Sequence, residues 1–154
     1  MFRKILVAID YSSQGKKVFE QALSLAKATK AHLMLLQVLS VEQNDYQLSL
    51  SVAKCQSEYN FDSELFLKKQ QICRQEGLDF LRSLVKKATI AGIKTEFSQV
   101  MGSPCQIICT LAKTWQADLI VIDSHSYSSL HKVGLSGVSN YVTYHLPCSV
   151  LVLV

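Results

Sequence analysis

The chain has 154 residues, 49% of them hydrophobic, and a formal net charge of +4. That is enough apolar material for one domain with a sizeable core, spanning 1–154, and it excludes an intrinsically disordered chain. The cations fall in the dispersed pairs Arg3-Lys4, Lys16-Lys17, Lys68-Lys69 and Lys86-Lys87. These read as solvated helix faces, and no basic stripe interleaved with aromatics points to nucleic acid. Every apolar run is strand-sized, too short for a membrane span or a signal-peptide core, so a cytoplasmic protein is expected.

Ile5 to Ile9 form the first apolar run, closed by Asp10 and followed by Ser12 and Ser13 as helix-cap candidates. Val18, Phe19, Ala22, Leu25 and Ala26 then recur at helical spacing, and His32 to Leu39 return to strand. Such a βαβ unit builds a parallel sheet buried on both faces, which explains strands that are apolar throughout. Residues 40–63 are rich in Ser, Gln, Asn and Asp and are the irregular part of the chain.

A long amphipathic helix is expected from Glu64 to Ala91, with Phe66, Ile72, Leu78, Leu81, Leu84 and Val85 on its apolar face. Gly77 weakens it locally and Gly92 stops it. A strand over 94–100 follows, then a helix from Ser103-Pro104 to Trp115, where proline suits the first turn. The strand 118–122, a helix over 136–145 ended by Pro147, and a last strand at 148–153 complete five strands alternating with helices. A C-terminal strand left at the sheet edge is a liability in a monomer, so homodimerisation through 149–153 is expected.

Five cysteines include no Cys-x-x-Cys pair, and Cys105 and Cys109, one helical turn apart, read as packing residues. No metal site is expected. His32 packs or caps locally, and Trp115 packs the end of its helix against the sheet. Met34 and Met101 read as core or pocket-wall residues. There is no Gly-x-Ser-x-Gly elbow, no Walker lysine motif and no His-Glu-x-x-His signature, so no catalytic residue is assigned.

Four segments together are specific: Lys4-Ile5-Leu6-Val7-Ala8-Ile9-Asp10, Gly102-Ser103-Pro104, Ala117-Asp118-Leu119-Ile120-Val121, and Gly137-Val138-Ser139-Asn140-Tyr141-Val142 leading to Pro147-Cys148-Ser149-Val150-Leu151-Val152. Through them the chain resembles the universal stress protein family over essentially its full length. The resemblance implies an α/β fold of the Rossmann-like, adenine nucleotide alpha-hydrolase-like type. Its open five-stranded parallel sheet has the order 3-2-1-4-5, with helices on both faces.

Nucleotide-binding members of that family carry Gly-x-x-Gly, nine residues, then Gly-Ser/Thr after the fourth strand, where glycines let backbone approach phosphates. In this chain Asp123, Ser126 and Ser136 stand at the three glycine positions and Gly137 at the Ser/Thr position. Gly134 lies two residues early and permits a shifted turn. A carboxylate beside a triphosphate repels it unless a cation bridges the two. Ser124, Ser126, Ser136 and Ser139 still offer hydroxyls, His125 or Lys132 a charge, and the helix opening at Ser136-Gly137-Val138 its amides, a set that suits a small anion, AMP or a nucleotide held by its adenosine half.

The adenosine half is less altered. By resemblance Asp10 meets the ribose, Val38 the adenine, and Val100-Met101-Gly102 the turn beside both. Asp10 also reads as a helix cap, and the two roles are compatible. The function implied is a cytoplasmic stress-response or regulatory protein, homodimeric and non-catalytic, with weak or no ATP binding and no required cofactor. The alternative is a member that binds ATP or AMP with at most slow ATP hydrolysis, with Mg²⁺ engaged only beside a triphosphate. A protein partner recognised by 40–63 is the third reading.

Overall fold

A computed structural model describes residues 1–10, 13–39, 63–124, 141–142, 145–146 and 148–154. Its elements are β1 (Lys4–Ala8), α1 (Ser13–Thr29), β2 (His32–Leu39), α2 (Ser63–Ile90), β3 (Thr95–Met101), α3 (Pro104–Thr114), β4 (Leu119–Asp123) and β5 (Ser149–Leu153). All five strands pair in parallel in the order β3-β2-β1-β4-β5, as expected.

The central strands β1, β2 and β4 are apolar on both faces because each face is roofed by helices. On one side Ile5, Val7, Leu33, Leu35, Leu119 and Val121 meet α1 and α2. On the other, Leu6, Ala8, Leu36, Val38, Ile120 and Ile122 meet α3 and Val142, one of the helical residues near the end of the chain. Fully buried side chains such as Phe19 and Leu81 contribute about 1.5–3 kcal/mol each.

The helices stop where backbone geometry lets them. After α1, Lys30 takes a left-handed φ of 57° and the Ala31 N–H donates to Ala26 O at 3.1 Å. After α2, Gly92 has φ 79° and the Ile93 N–H donates to Ala88 O at 3.0 Å. Pro104 opens α3 at its first turn.

Three local expectations change. Ile72 is 56% exposed, so it lies outside the core; the buried stripe of α2 is Leu81, Leu84 and Ala88. β4 extends through Asp123, which pairs in register with Leu153 and is 5% exposed. Its carboxylate therefore ends a buried strand instead of opening a solvated turn. Gly77 is more than a weak point in α2, because a β-carbon there would lie 2.4 Å from Gln37 Oε1.

Candidate functional site

In a parallel sheet whose strand order reverses between two neighbours, the crevice beyond the strand ends is the natural ligand site. Here the reversal falls between β1 and β4. Asp10 follows β1, Val38 sits near the end of β2, Met101 closes β3 and Ser124 follows β4.

Strand register aligns them closely. Ala8 pairs with Leu36 and Val7 with Val121, so continuing both registers brings Asp10 level with Val38 on one side and Ser124 on the other. Val38 in turn pairs with Val100. Asp10, Val38, Val100 and Ser124 thus form one row across the C-terminal edge, with Met101 and Gly102 just beyond it.

The backbone of this edge is firmly tied. The Ile9 N–H donates to Leu36 O at 2.8 Å, the Gly102 N–H to Leu39 O at 2.9 Å, and the Ser124 N–H to Leu153 O at 2.8 Å. Gly102 has φ 149°, a backbone state that side chains disfavour, and a β-carbon there would press on Ile107 at 2.8 Å. Glycine is what lets the chain turn from β3 into α3 at this point. Ser103, the N-cap of α3, makes no side-chain capping bond.

Asp10 is half-buried, and its Oδ1 lies 3.3 Å from where a Gly15 β-carbon would stand. The carboxylate therefore sits against the first turn of α1. Gly15 itself, which sequence reasoning passed over, faces the Asp10 carbonyl oxygen so closely that an added β-carbon would come within 2.3 Å. A short spacing between Asp10 and a helical glycine was the available signal. Val38 is buried and its side chain belongs to the α3-side core. Met101 is largely exposed.

Ser124 is buried next to Asp123, with Ser124 Oγ and Asp123 Oδ1 3.5 Å apart, at the outer limit of a hydrogen bond. Strand alternation places Asp123 on the Leu119 and Val121 face, toward α1. His125, Ser126, Ser136, Gly137, Val138 and Ser139 lie outside the described residues, as do residues 40–62.

Away from this edge, Cys105, Cys109 and Cys148 share the α3-side core, and burial pushes all three thiols up. That disfavours the thiolate and fits packing residues. Tyr141 and His145, both exposed, stack with ring centroids 3.8 Å apart. Among the described residues no cluster of three or more His, Cys, Asp or Glu is placed to hold a metal ion, and no helix is long and apolar enough to cross a membrane.

The sheet order and the row at its edge agree with comparison to known proteins. The chain is 31% identical to universal stress protein Sll1388 of Synechocystis sp., over 98% of this chain and 97% of that one. It is 32% identical to universal stress protein YxiE of Bacillus subtilis, over 99% of each. The solved structure of universal stress protein UspA from Lactobacillus plantarum superposes with a TM-score of 0.77 at 22% identity, covering 99% of this chain and 98% of that one. A universal stress protein family protein from Arabidopsis thaliana, solved with AMP bound, shares the fold with a TM-score of 0.64 at 22% identity, covering 98% and 90%. The model of the universal stress protein family matches residues 1–153, and the chain belongs to that family.

Proposed function

We propose that this protein is a non-catalytic, cytoplasmic, homodimeric regulator of the stress response, whose edge site takes adenosine or AMP in preference to ATP. The observation that carries this reading is the row of Asp10, Val38 and Ser124, with Asp123 immediately before Ser124 at the end of β4. The residues suited to an adenosine moiety are gathered at the strand ends: a carboxylate for ribose hydroxyls, a buried valine wall and the Gly102 turn. The position where the family supplies its first phosphate-facing glycine instead holds a β-carbon and a carboxylate anchored in β4. A triphosphate approaching that backbone meets like charge and lost clearance.

Dimerisation follows from β5. Among the described residues it pairs only with β4, and Val150 and Val152 are packed against the core yet keep part of their surface in solvent. A second copy covering that edge removes both the open backbone groups and the apolar surface.

Calorimetric titration with ATP and AMP, each with and without Mg²⁺, tests the ligand reading. AMP binding at least as tight as ATP is expected, and micromolar ATP affinity well ahead of AMP would overturn it. A second reading, an ATP- or AMP-binding member with at most slow hydrolysis, is favoured by the AMP found in the Arabidopsis thaliana relative. Phosphate release from ATP above the rate of an Asp10→Ala variant would support it.

A further inference from the structure

At the opposite end of the sheet, where strands begin and α1 and α2 finish, a cavity of about 590 Å³ opens among Arg3, Lys27, Lys30, His32, Ile93 and Lys94. Its size is that of a small-molecule site. Among the described residues no aspartate or glutamate lines it. The ion pairs among the described residues join His32 to Glu96, Arg82 to Asp79 and Lys87 to Glu20, and none involves Arg3, Lys27, Lys30 or Lys94. Asp118 accepts from the backbone N–H of Arg3 and forms no ion pair with its guanidinium. Four basic side chains from three separate segments thus converge on one concavity, in a chain whose whole formal charge is +4.

Helix C-termini attract cations, so part of this charge answers the dipoles of α1 and α2. The terminal carbonyls are nevertheless served by backbone: Ala31 N–H bonds Ala26 O, Gly92 N–H bonds Thr89 O and Ile93 N–H bonds Ala88 O. Arg3 and Lys94 lie outside both helices, each leading into a strand. Dipoles alone leave those two unexplained.

We propose that this cavity binds a small, multiply charged phosphate oxyanion, held by Arg3, Lys27, Lys30 and Lys94 around it. Its half-open concave shape and its Ala31, Ala91 and Ile93 lining suit a small ion better than a polymer laid across a convex basic face. The structure carries its own reporter. His32 lines the cavity and is faced by Lys4, Lys94 and Glu96. Its ring meets Trp115, the only tryptophan, edge-on with centroids 5.3 Å apart. An anion in the cavity favours the protonated imidazole, which quenches the indole.

The test is a titration of the full chain with pyrophosphate against sodium chloride at matched ionic strength. Melting temperature, Trp115 fluorescence and the His32 imidazole resonances are followed together. A rise of about 4 °C at ten times Kd is expected, with His32 titrating at higher pH. The paired substitution Lys27→Gln with Lys94→Gln should weaken pyrophosphate about tenfold or more while leaving the ligand-free melting temperature equal or higher. Asp10→Ala, at the other end of the sheet, should leave pyrophosphate binding intact, which keeps this site distinct from the adenosine site. Stabilisation no greater than that of chloride, a response unchanged in the paired variant, or a response lost in Asp10→Ala would each overturn the proposal.

Discussion

Gln99 Nε2 donates to Gln37 Oε1 at 2.8 Å, joining the side chains of β3 and β2 directly beneath Gly77 of α2. Gln37 is 2% exposed in the middle of a central strand, and its own Nε2 has no hydrogen-bond partner. Gln99 Nε2 also donates to Arg74 O at 3.1 Å, tying the pair to the helix backbone. Replacing Gly77 by alanine should gain about 1 kcal/mol of helix propensity. The new methyl group would push the amides apart, and a buried amide left unpaired costs about 1–3 kcal/mol. Gly77→Ala is therefore expected to lower stability by about 1 kcal/mol in urea unfolding, against the propensity scale. In a Gln37→Met background the same substitution should be neutral or stabilising. An identical effect in both backgrounds would show that the amide pair is not the reason.

Gly15 makes a sterner case, because what its β-carbon would strike is backbone. An alanine there would stand 2.3 Å from Asp10 O and 3.1 Å from Ile9 Cγ2. The carbonyl cannot swing aside without moving the β1–α1 connection, and the Ile9 methyl belongs to a fully buried side chain. Gly15→Ala is expected to cost about 2–3 kcal/mol, at the upper end of overpacking effects, despite better helix propensity. It should also weaken AMP binding, since Asp10 is the atom group displaced. Wild-type stability together with wild-type AMP affinity would contradict both parts.

Much of this architecture was legible because strands and helices announce themselves locally. Ile5–Ile9 and Leu119–Ile122 read as buried parallel strands from continuous apolar character, and the spacing of Val18, Ala22 and Ala26 fixed the inner face of α1. What escaped was through-space. Gly77 read as a weakness because its reason lies in the pairing of Gln37 with Gln99, two residues themselves 62 apart in the chain. Ile72 shares the helical period of α2 yet meets solvent, since periodicity shows a face and not how far the sheet extends beneath it. Asp123 looked like a turn residue by chemistry but continues β4, where tertiary pairing with Leu153 overrides its low strand propensity. The row of Asp10, Val38 and Ser124 required the strand register. The convergence of Arg3, Lys27, Lys30 and Lys94 required the sheet itself, because dispersed in sequence they resemble ordinary solvated cations.

His32 gives a pH dependence whose sign is fixed. Burial lowers its pKa foremost; Lys94 and Lys4 lower it further, and Glu96, 3.0 Å away, opposes them. With the folded value below the unfolded one, the unfolded chain takes up the proton first as pH falls. The contribution is fully present above the unfolded pKa of about 6.5 and is lost as pH drops through the folded value. Unfolding free energy measured from pH 7.5 to 5 should decline, and His32→Gln should flatten that part of the profile. A steeper decline in the variant would reverse the assignment.

The glycine positions after β4 offer a gain-of-function test. Replacing Asp123, Ser126 and Ser136 together by glycine removes one carboxylate and three β-carbons from the places where the family's backbone approaches phosphate. ATP affinity should rise by about tenfold or more, the scale of relieving one like-charge contact, while AMP affinity changes less. Unchanged ATP affinity in a folded triple variant would remove Asp123 as the cause of weak triphosphate binding.

Asp118 supplies the last prediction, at the end of the sheet where β1 and β4 begin. Its two carboxylate oxygens accept from the backbone N–H groups of Arg3 at 2.8 Å and Lys4 at 3.1 Å, while its own N–H donates to Lys4 O at 3.0 Å. One side chain thereby fixes the entry of β1 alongside β4, and Lys4 Nζ reaches across to Trp115 O at 3.0 Å. Charge-assisted bonds of this kind are stronger than neutral ones, and Asp118→Ala should cost about 2 kcal/mol. Asp118→Asn keeps an acceptor for only one of the two donors and should fall between. Because Arg3 rims the basic cavity, amide exchange at Arg3 and Lys4 should quicken in Asp118→Ala ahead of exchange at Leu6 and Val7. Uniform acceleration across β1 would mean that the carboxylate supports the whole strand and not its first two residues.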